Sequence, residues 1–170
     1  MRDSDVLENN PHVSRSALEA MHGQVFSWAL SRSGFERAVA EDLVQQAYME
    51  LLTGKARFNG KSSLRTYDFA VVQNLSRNRY RRLASRMRML DKVALDPGAD
   101  VAQVEEEGDH QGLWEAVQSL PARQRDIVEL VFCRVLTIEE ASSVMCVATG
   151  TGRVHYDRAK KTLKNRLNND

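Results

Sequence analysis

The chain has 170 residues, a formal net charge of +1, 42% hydrophobic and 28% charged residues, and two cysteines. This length allows one ordinary domain or two small ones, and the apolar content is sufficient for packed cores. No apolar run reaches the length of a membrane span and the polar N-terminus is no signal peptide, so we expect a cytoplasmic protein without membrane insertion of its own.

The small net charge conceals a strong segregation of charge along the chain. Residues 61–90 hold eight basic residues and one acid, whereas residues 91–110 hold one lysine and seven acids. Residues 151–170 are basic again, with six basic residues and two acids. Two basic blocks separated by acidic ones indicate two separate nucleic-acid contacts on a chain that also meets a protein.

The first half of the chain predicts a tail and two amphipathic helices. Residues 1–14 are predicted to be a disordered tail. Apolar residues at helical spacing predict a helix over 16–31, ended by Gly34, and a second over 39–52, ended by Gly54. The polar face of the second helix presents Glu41, Asp42, Gln45, Gln46 and Glu50.

A long basic helix is predicted to follow a turn at Asn59-Gly60 and to end near Leu90, with Ser62 or Ser63 able to cap it. Six arginines lie between residues 77 and 88 without a lysine or an acid among them. Arginine forms forked hydrogen bonds to phosphate, so a polyanion is favoured over a merely solvated face. The stripe expected to face a core consists of Leu64, Tyr67, Val71, Leu75 and Asn78.

The second half predicts a helix-turn-helix. Pro121 opens a helix whose expected buried face is Ile127, Val128, Leu130, Val131 and Phe132. A capping box at Thr137–Glu140 starts a short helix, and a three-residue turn leads to a last helix over about 149–167. Such a second helix reads bases in the major groove, whereas a plain core hairpin is the alternative. The absence of strand-like alternation predicts an all-α fold of two small helical domains.

No cluster of residues predicts catalysis or metal binding. The four histidines are scattered, and Cys133 and Cys146 lack metal-ligand spacing, so both thiols are expected to be buried and reduced. Trp28, Trp114 and Phe132 are expected in the cores. We therefore expect no cofactor, no metal and no enzymatic activity.

Three motifs, taken together, resemble the extracytoplasmic-function (ECF) class of bacterial RNA polymerase sigma factors. The first is the run from Ala40 to Tyr48, A-E-D-L-V-Q-Q-A-Y. The second is Phe58-x-Gly60-x-Ser62 followed by Thr66-Tyr67, Asn74 and Asn78. The third is Leu120-Pro121-x-x-x-Arg125, then Glu139-Glu140-Ala141, Gly150-Thr151 and Arg158-Ala159-Lys160.

The resemblance implies two domains, partners and site residues. It implies a tail at 1–14, sigma domain 2 at 15–92, an acidic linker at 93–110 and a helix-turn-helix sigma domain 4 at 111–170. The implied partners are core RNA polymerase, through its β′ clamp and β flap, promoter DNA and an anti-sigma protein. The β′ clamp contacts would be Asp42, Gln45, Gln46 and Glu50. The −10 contacts would be Phe58, Asn59, Lys61, Ser62, Asn74, Arg77, Asn78, Arg81 and Arg82. The −35 contacts would be Thr149, Thr151, Arg153, Val154, Asp157, Arg158 and Lys161.

The chain departs from the family pattern at four positions. Cys146 stands for a turn glycine, Ala148 for an N-cap serine, with Thr149 as a substitute cap, and Tyr67 for a tryptophan. Gly152 stands for a β-branched residue, and a glycine inside a helix costs up to about 1 kcal/mol relative to alanine. The alternative functions are a helix-turn-helix repressor that dimerises through 16–52 on a palindromic operator, and an enzyme on a helical scaffold.

Overall fold

The structure, a computed structural model, describes residue 10, residues 12–90 and residues 111–168, so the predicted linker 93–110 lies outside the described residues. Every regular element in the described ranges is helical, which confirms the all-α fold class. The helices form two compact units, α1–α3 and α4–α7. Their bounds are α1 Arg15–Arg32, α2 Arg37–Leu52, α3 Leu64–Leu90, α4 Gln111–Gln118, α5 Ala122–Val128, α6 Ile138–Val144 and α7 Thr149–Leu167.

The core of the first unit forms where α1, α2 and α3 pack against one another. Trp28 of α1 and Phe69 of α3 are fully buried, with their ring centroids 6.1 Å apart. The Trp28 indole donates a hydrogen bond of 3.1 Å to the Phe69 carbonyl oxygen, so its polar atom is satisfied inside the core. The Arg32 guanidinium lies 4.3 Å from the Trp28 ring centroid and covers it from solvent.

The buried face of α3 is wider than the predicted stripe. Val71 and Leu75 are buried as predicted, but Asn78 is exposed, so its assignment to the core-facing stripe is wrong. Because α1 and α2 both pack on α3, the burial extends to Asp68 and Phe69, which the stripe omitted.

Part of the predicted disordered tail is ordered. Asn10 is 2% exposed and Val13 is also buried. The Val13 amide donates a 2.9 Å hydrogen bond to the Asn10 carbonyl oxygen, which closes a turn ahead of α1. Ser14 then caps α1 by accepting from the Ala17 amide at 3.1 Å. The tail prediction is therefore wrong for residues 10 and 12–14, because a polar residue can be buried when its amide finds backbone partners.

The second unit packs α4, α5 and α6 around α7. Its core contains Ile127, Leu130, Val144 and Met145. The capping box at the start of α6 is confirmed, since Thr137 accepts from the Glu140 amide and the Glu140 carboxylate accepts from the Thr137 amide.

Three residues expected in the interior of the second unit lie at its surface. The helix that begins with α5 ends in a π-helical turn, Glu129–Cys133, whose wider spacing changes the direction of the side chains within it. Phe132 is consequently 61% exposed and stacks on Tyr156 of α7, with ring centroids 6.0 Å apart. Cys133 and Cys146 are exposed, so the prediction of buried thiols is wrong.

Gly152 lets α7 approach α6 closely. A Cβ at this position would lie 1.9 Å from Ser142 Oγ and 3.3 Å from Ile127 Cδ1. The glycine that the sequence presents as a helix-weakening departure is therefore a packing requirement, and a β-branched residue would not fit here.

Candidate nucleic-acid interfaces

The loop between α2 and α3 carries four of the predicted −10 residues and is held by local bonds. Gly60 adopts a φ of 72°, which favours glycine, and Asn59 Oδ1 accepts from the Lys61 amide at 3.2 Å. The Phe58 ring packs on Tyr67 of α3 with centroids 5.5 Å apart. Asn59 and Lys61 are exposed, whereas Phe58 and Ser62 are half-buried.

The start of α3 joins this loop to the core. Ser63 Oγ accepts from the Thr66 amide at 3.1 Å, so of the two predicted caps it is Ser63 that serves. Ser62 instead donates its hydroxyl to the Ser63 carbonyl oxygen. Burial raises the pKa of the Tyr67 hydroxyl, and the Glu50 carboxylate raises it further, so Tyr67 stays a neutral hydrogen-bonding group at neutral pH.

The remaining predicted −10 residues lie along α3 beyond its core contacts. They recur at intervals of three and four residues, which brings neighbouring members onto adjoining faces of the helix. All are exposed apart from Arg77, which is half-buried; they are Asn74, Arg77, Asn78, Arg81 and Arg82. With Arg79, Arg86 and Arg88 they make the second half of α3 strongly cationic.

The predicted polymerase residues of α2 line two different grooves. Asp42, Gln46 and Glu50 face the basic half of α3 across a groove of about 280 Å³, to which Asn78 and Arg82 also contribute. Gln45 lines a second groove, between α1 and α2, together with His22, Phe26 and Tyr48. The structure therefore places Asp42, Gln46 and Glu50 on one groove and Gln45 on another.

Glu50 is the most enclosed of these four side chains. Its carboxylate makes a 2.7 Å ion pair with Lys55, and its side chain is 17% exposed. Asp42, Gln45 and Gln46 are exposed. A partner surface can therefore reach these three directly, whereas Glu50 is already engaged within the chain.

The seven predicted −35 residues of α7 are all exposed. The opposite side of α7 buries Gly152 and Ala159 against the rest of the unit. Asp157 and Lys160 form a 3.4 Å ion pair, and Lys160 lies over the Tyr156 ring at 4.5 Å. One cationic face of α7, including Arg153, Arg158 and Lys161, is thus presented to solvent.

The N-terminus of α7 departs from the predicted cap. The N-cap residue is Ala148, which makes no side-chain cap bond, so Thr149 does not take over that role. Thr149 is instead the first helical residue and is exposed, as is Thr151. Their hydroxyls and the backbone amides of the first turn can donate to a phosphate. In the preceding turn Cys146 has a φ of 55°, a conformation that favours the glycine of the family pattern.

One residue that bears on these interfaces was missed from the sequence. Asn10 contacts the end of α2 and the loop that carries Phe58. A single asparagine in a polar segment without periodicity gives no sequence signal of such a role.

Two kinds of site are absent from the described part of the chain. In these ranges no group of three or more histidine, cysteine, aspartate or glutamate residues is arranged to hold a metal ion. Among the same residues, no helix combines the length and apolar character that a membrane span needs.

Comparison with known proteins identifies relatives that cover most of the chain. Residues 17–86 match the family of sigma-70 region 2. A curated ECF RNA polymerase sigma factor, EcfG of Rhodopseudomonas palustris, is 28% identical over 141 residues, covering 81% of this chain and 75% of its own length.

A solved structure shares the fold. The sigma factor RpoE of Bartonella quintana, crystallised in complex with the anti-sigma factor NepR, superposes with a TM-score of 0.72 at 24% sequence identity. The likeness covers 92% of this chain and 97% of that one. The region 2 match and the curated relative confirm the predicted resemblance to ECF sigma factors.

Proposed function

We infer that this chain is an alternative sigma factor of the ECF type, which binds core RNA polymerase and directs promoter-specific transcription initiation. The observation that carries this conclusion is the sigma-70 region 2 match over residues 17–86, which takes in α2 and most of the basic helix α3. The relative EcfG extends the likeness to most of the chain.

The exposed face of α2 is proposed to bind the β′ clamp of the polymerase. Asp42, Gln45 and Gln46 are accessible for it, and Glu50 shapes the same surface through its ion pair with Lys55. Carboxylates and amides on adjoining faces of one helix suit a partner that presents arginine and lysine. The β flap is proposed as the polymerase contact of the second unit.

The loop before α3 and the outer faces of α3 are proposed to open and read the −10 element. Extruding a base from its stack costs a few kcal/mol, which stacking and hydrogen bonding in a pocket offset. Phe58 supplies an aromatic surface and Asn74 an amide for this purpose. The exposed arginines Arg81 and Arg82, together with Arg77 and Asn78, would hold the DNA backbone just upstream.

The exposed face of α7 is proposed to read the −35 element in the major groove. Arg153, Val154, Asp157 and Arg158 would meet base edges, since arginine recognises guanine and an aliphatic side chain contacts the thymine methyl group. Thr149, Thr151 and Lys161 would hold phosphates and thereby set the register.

The protein is proposed to act as a regulatory subunit in the cytoplasm, without chemistry of its own. An anti-sigma protein is a further proposed partner, supported by the related sigma factor that was crystallised with one. The repressor alternative is not favoured, since the relatives are sigma factors and the chain carries two basic surfaces where a repressor subunit needs one.

Run-off transcription with purified core polymerase tests these assignments. Asn74→Ala and Arg153→Ala should each lower promoter-specific transcript by about tenfold or more, while binding of core polymerase stays intact. Asn165→Ala, an exposed change in the last turn of α7, is the control and should transcribe normally. Normal transcription from both test variants would contradict the site assignment.

A further inference from the structure

Asn10 joins the end of α2 to the loop that follows it. Its side-chain amide donates to the Leu51 carbonyl oxygen at 2.9 Å and to the Ala56 carbonyl oxygen at 2.8 Å. Its Oδ1 accepts from the Phe58 amide at 3.1 Å. The amide group and the carbonyl of one buried side chain therefore hold three backbone groups between the last turn of α2 and Phe58.

These three bonds occur at the end of α2, where the Leu51 carbonyl oxygen also accepts a longer bond of 3.4 Å from the Gly54 amide. The last carbonyls of a helix find no donor inside it, and a chain leaving the helix has unpaired amides. Gly54 at a φ of 72° turns the chain, and the Ala56 amide returns to the Glu50 carbonyl oxygen at 2.8 Å. Asn10 adds three side-chain bonds to this turn and so fixes the path of the chain into Phe58.

The chemistry of an asparagine is specific for this position. Aspartate would keep the acceptor for the Phe58 amide but would lose both donors. Glutamine would carry the same groups one methylene farther away, and serine has only one hydroxyl donor. Of these four side chains, only asparagine matches the two carbonyl oxygens and one amide that surround the site.

We propose that Asn10 is a positioning residue for −10 recognition. It fixes the main chain at Phe58, so that the Phe58 ring rests on Tyr67 at 5.5 Å with a defined orientation toward the DNA. This inference rests on the proposed function of the Phe58 loop. In this proposal Asn10 does not contact the nucleic acid, and it acts by fixing the loop.

The test measures base preference, which loss of stability alone does not change. The full chain is bound to core polymerase and titrated with a single-stranded oligonucleotide that carries the non-template −10 sequence of one of its promoters. The same strand with the −10 bases scrambled is titrated in parallel. The ratio of the two dissociation constants reports recognition, and it is insensitive to the fraction of folded protein.

Three variants separate positioning from general stabilisation. Asn10→Ala should reduce the preference ratio by roughly tenfold, as expected when the extruded base no longer aligns with the hydrogen-bonding groups of its pocket. Asn10→Asp, which places a carboxylate oxygen against the Leu51 and Ala56 carbonyl oxygens, should reduce the ratio at least as much as Asn10→Ala. Ser14→Ala removes the neighbouring helix cap without touching the loop, and should leave the ratio unchanged.

The test distinguishes failure of the positioning role from failure of the proposed sigma-factor function. A wild-type ratio retained by Asn10→Ala would overturn the positioning role while leaving the sigma-factor function standing. A wild-type complex that shows no preference for the −10 strand would contradict both.

Discussion

Gly152 decides how closely the two helices of the helix-turn-helix can pack. The space beside its α-carbon is filled by Ser142, whose hydroxyl is itself bonded to the Ile138 carbonyl oxygen at 2.6 Å. Gly150, two residues earlier on the same helix, faces open space, because a Cβ added there would meet nothing within 4 Å. Packing therefore requires a glycine at position 152 but not at position 150.

This pair gives a matched prediction for stability. Gly152→Ala should lower the free energy of unfolding by about 1–3 kcal/mol, because the added carbon overlaps Ser142. Gly150→Ala should be neutral or should stabilise by up to about 1 kcal/mol, since alanine favours a helix and meets open space. Urea denaturation of the full chain measures both, and equal effects of the two changes would contradict this account of the α6–α7 contact.

Asp68 is a carboxyl group inside the first core. It is fully buried, and neither of its oxygens has a hydrogen-bond partner among the described residues. Burial raises the pKa of Asp68 from its ordinary value of 3.8 to about 7. Burial also raises the pKa of the Tyr48 hydroxyl, and the negative charge on Asp68 adds to that increase.

The raised pKa predicts a pH-dependent stability. Between pH 3.8 and about 7 the unfolded chain has released this proton while the folded chain retains it, so stability falls as pH rises through this window. The loss amounts to at most about 4 kcal/mol. Asp68→Asn should remove this slope and be more stable than the wild type at pH 8.

Denaturation of the wild type and of Asp68→Asn at pH values from 5 to 8 tests this prediction. Subtracting the two curves cancels the titration of the other carboxylates. Asp42→Asn changes an exposed carboxylate on α2 and serves as the control. Parallel curves for the wild type and Asp68→Asn would show that the Asp68 carboxyl is not held neutral by the fold.

At the scale of single elements, α3 combines two different regions. Its first half is buried against α1 and α2, whereas from Asn78 to Leu90 its side chains are exposed apart from the half-buried Ala84. The positive charges on this outer half repel one another, and its exposed side chains make few packing contacts to offset that repulsion. Its helical structure should therefore depend on the partner that neutralises the arginines.

Hydrogen exchange measures that dependence. In the free chain the amides of residues 84–90 should exchange much faster than those of residues 68–76, which belong to the packed half. Bound to promoter DNA and core polymerase, residues 84–90 should become protected. Equal protection of the two halves in the free chain would contradict a helix end that relies on its partner.

Sequence patterning predicted the helices well, but it did not predict which polar residues are buried or which apolar residues are exposed. The end of α2 and the start of α6 could be predicted, because the glycine after α2 and the capping box at Thr137 act locally. Burial of Asn10 and Asp68 could not be predicted, since both depend on contacts with distant elements. The exposure of Phe132 follows from a π-helical turn, for which the apolar spacing gives no signal. The site assignments came from motifs of the family, and their residues remain predictions.

At the scale of the whole molecule, charge is divided between two helical units. Each presents a basic helix, α3 in one and α7 in the other, and the acidic residues of α2 lie on a separate helix of the first. Each unit has its own core, so each basic helix is supported independently. Such a division suits recognition of two promoter elements by one chain that also holds the polymerase.

The most direct test is co-purification of the full chain with core RNA polymerase, followed by sequencing of the DNA that the complex retains. The sigma-factor assignment predicts stoichiometric association and a shared promoter of two sequence blocks at fixed spacing. Absence of polymerase, together with tight binding of the chain alone to a palindromic duplex, would contradict it and favour a repressor.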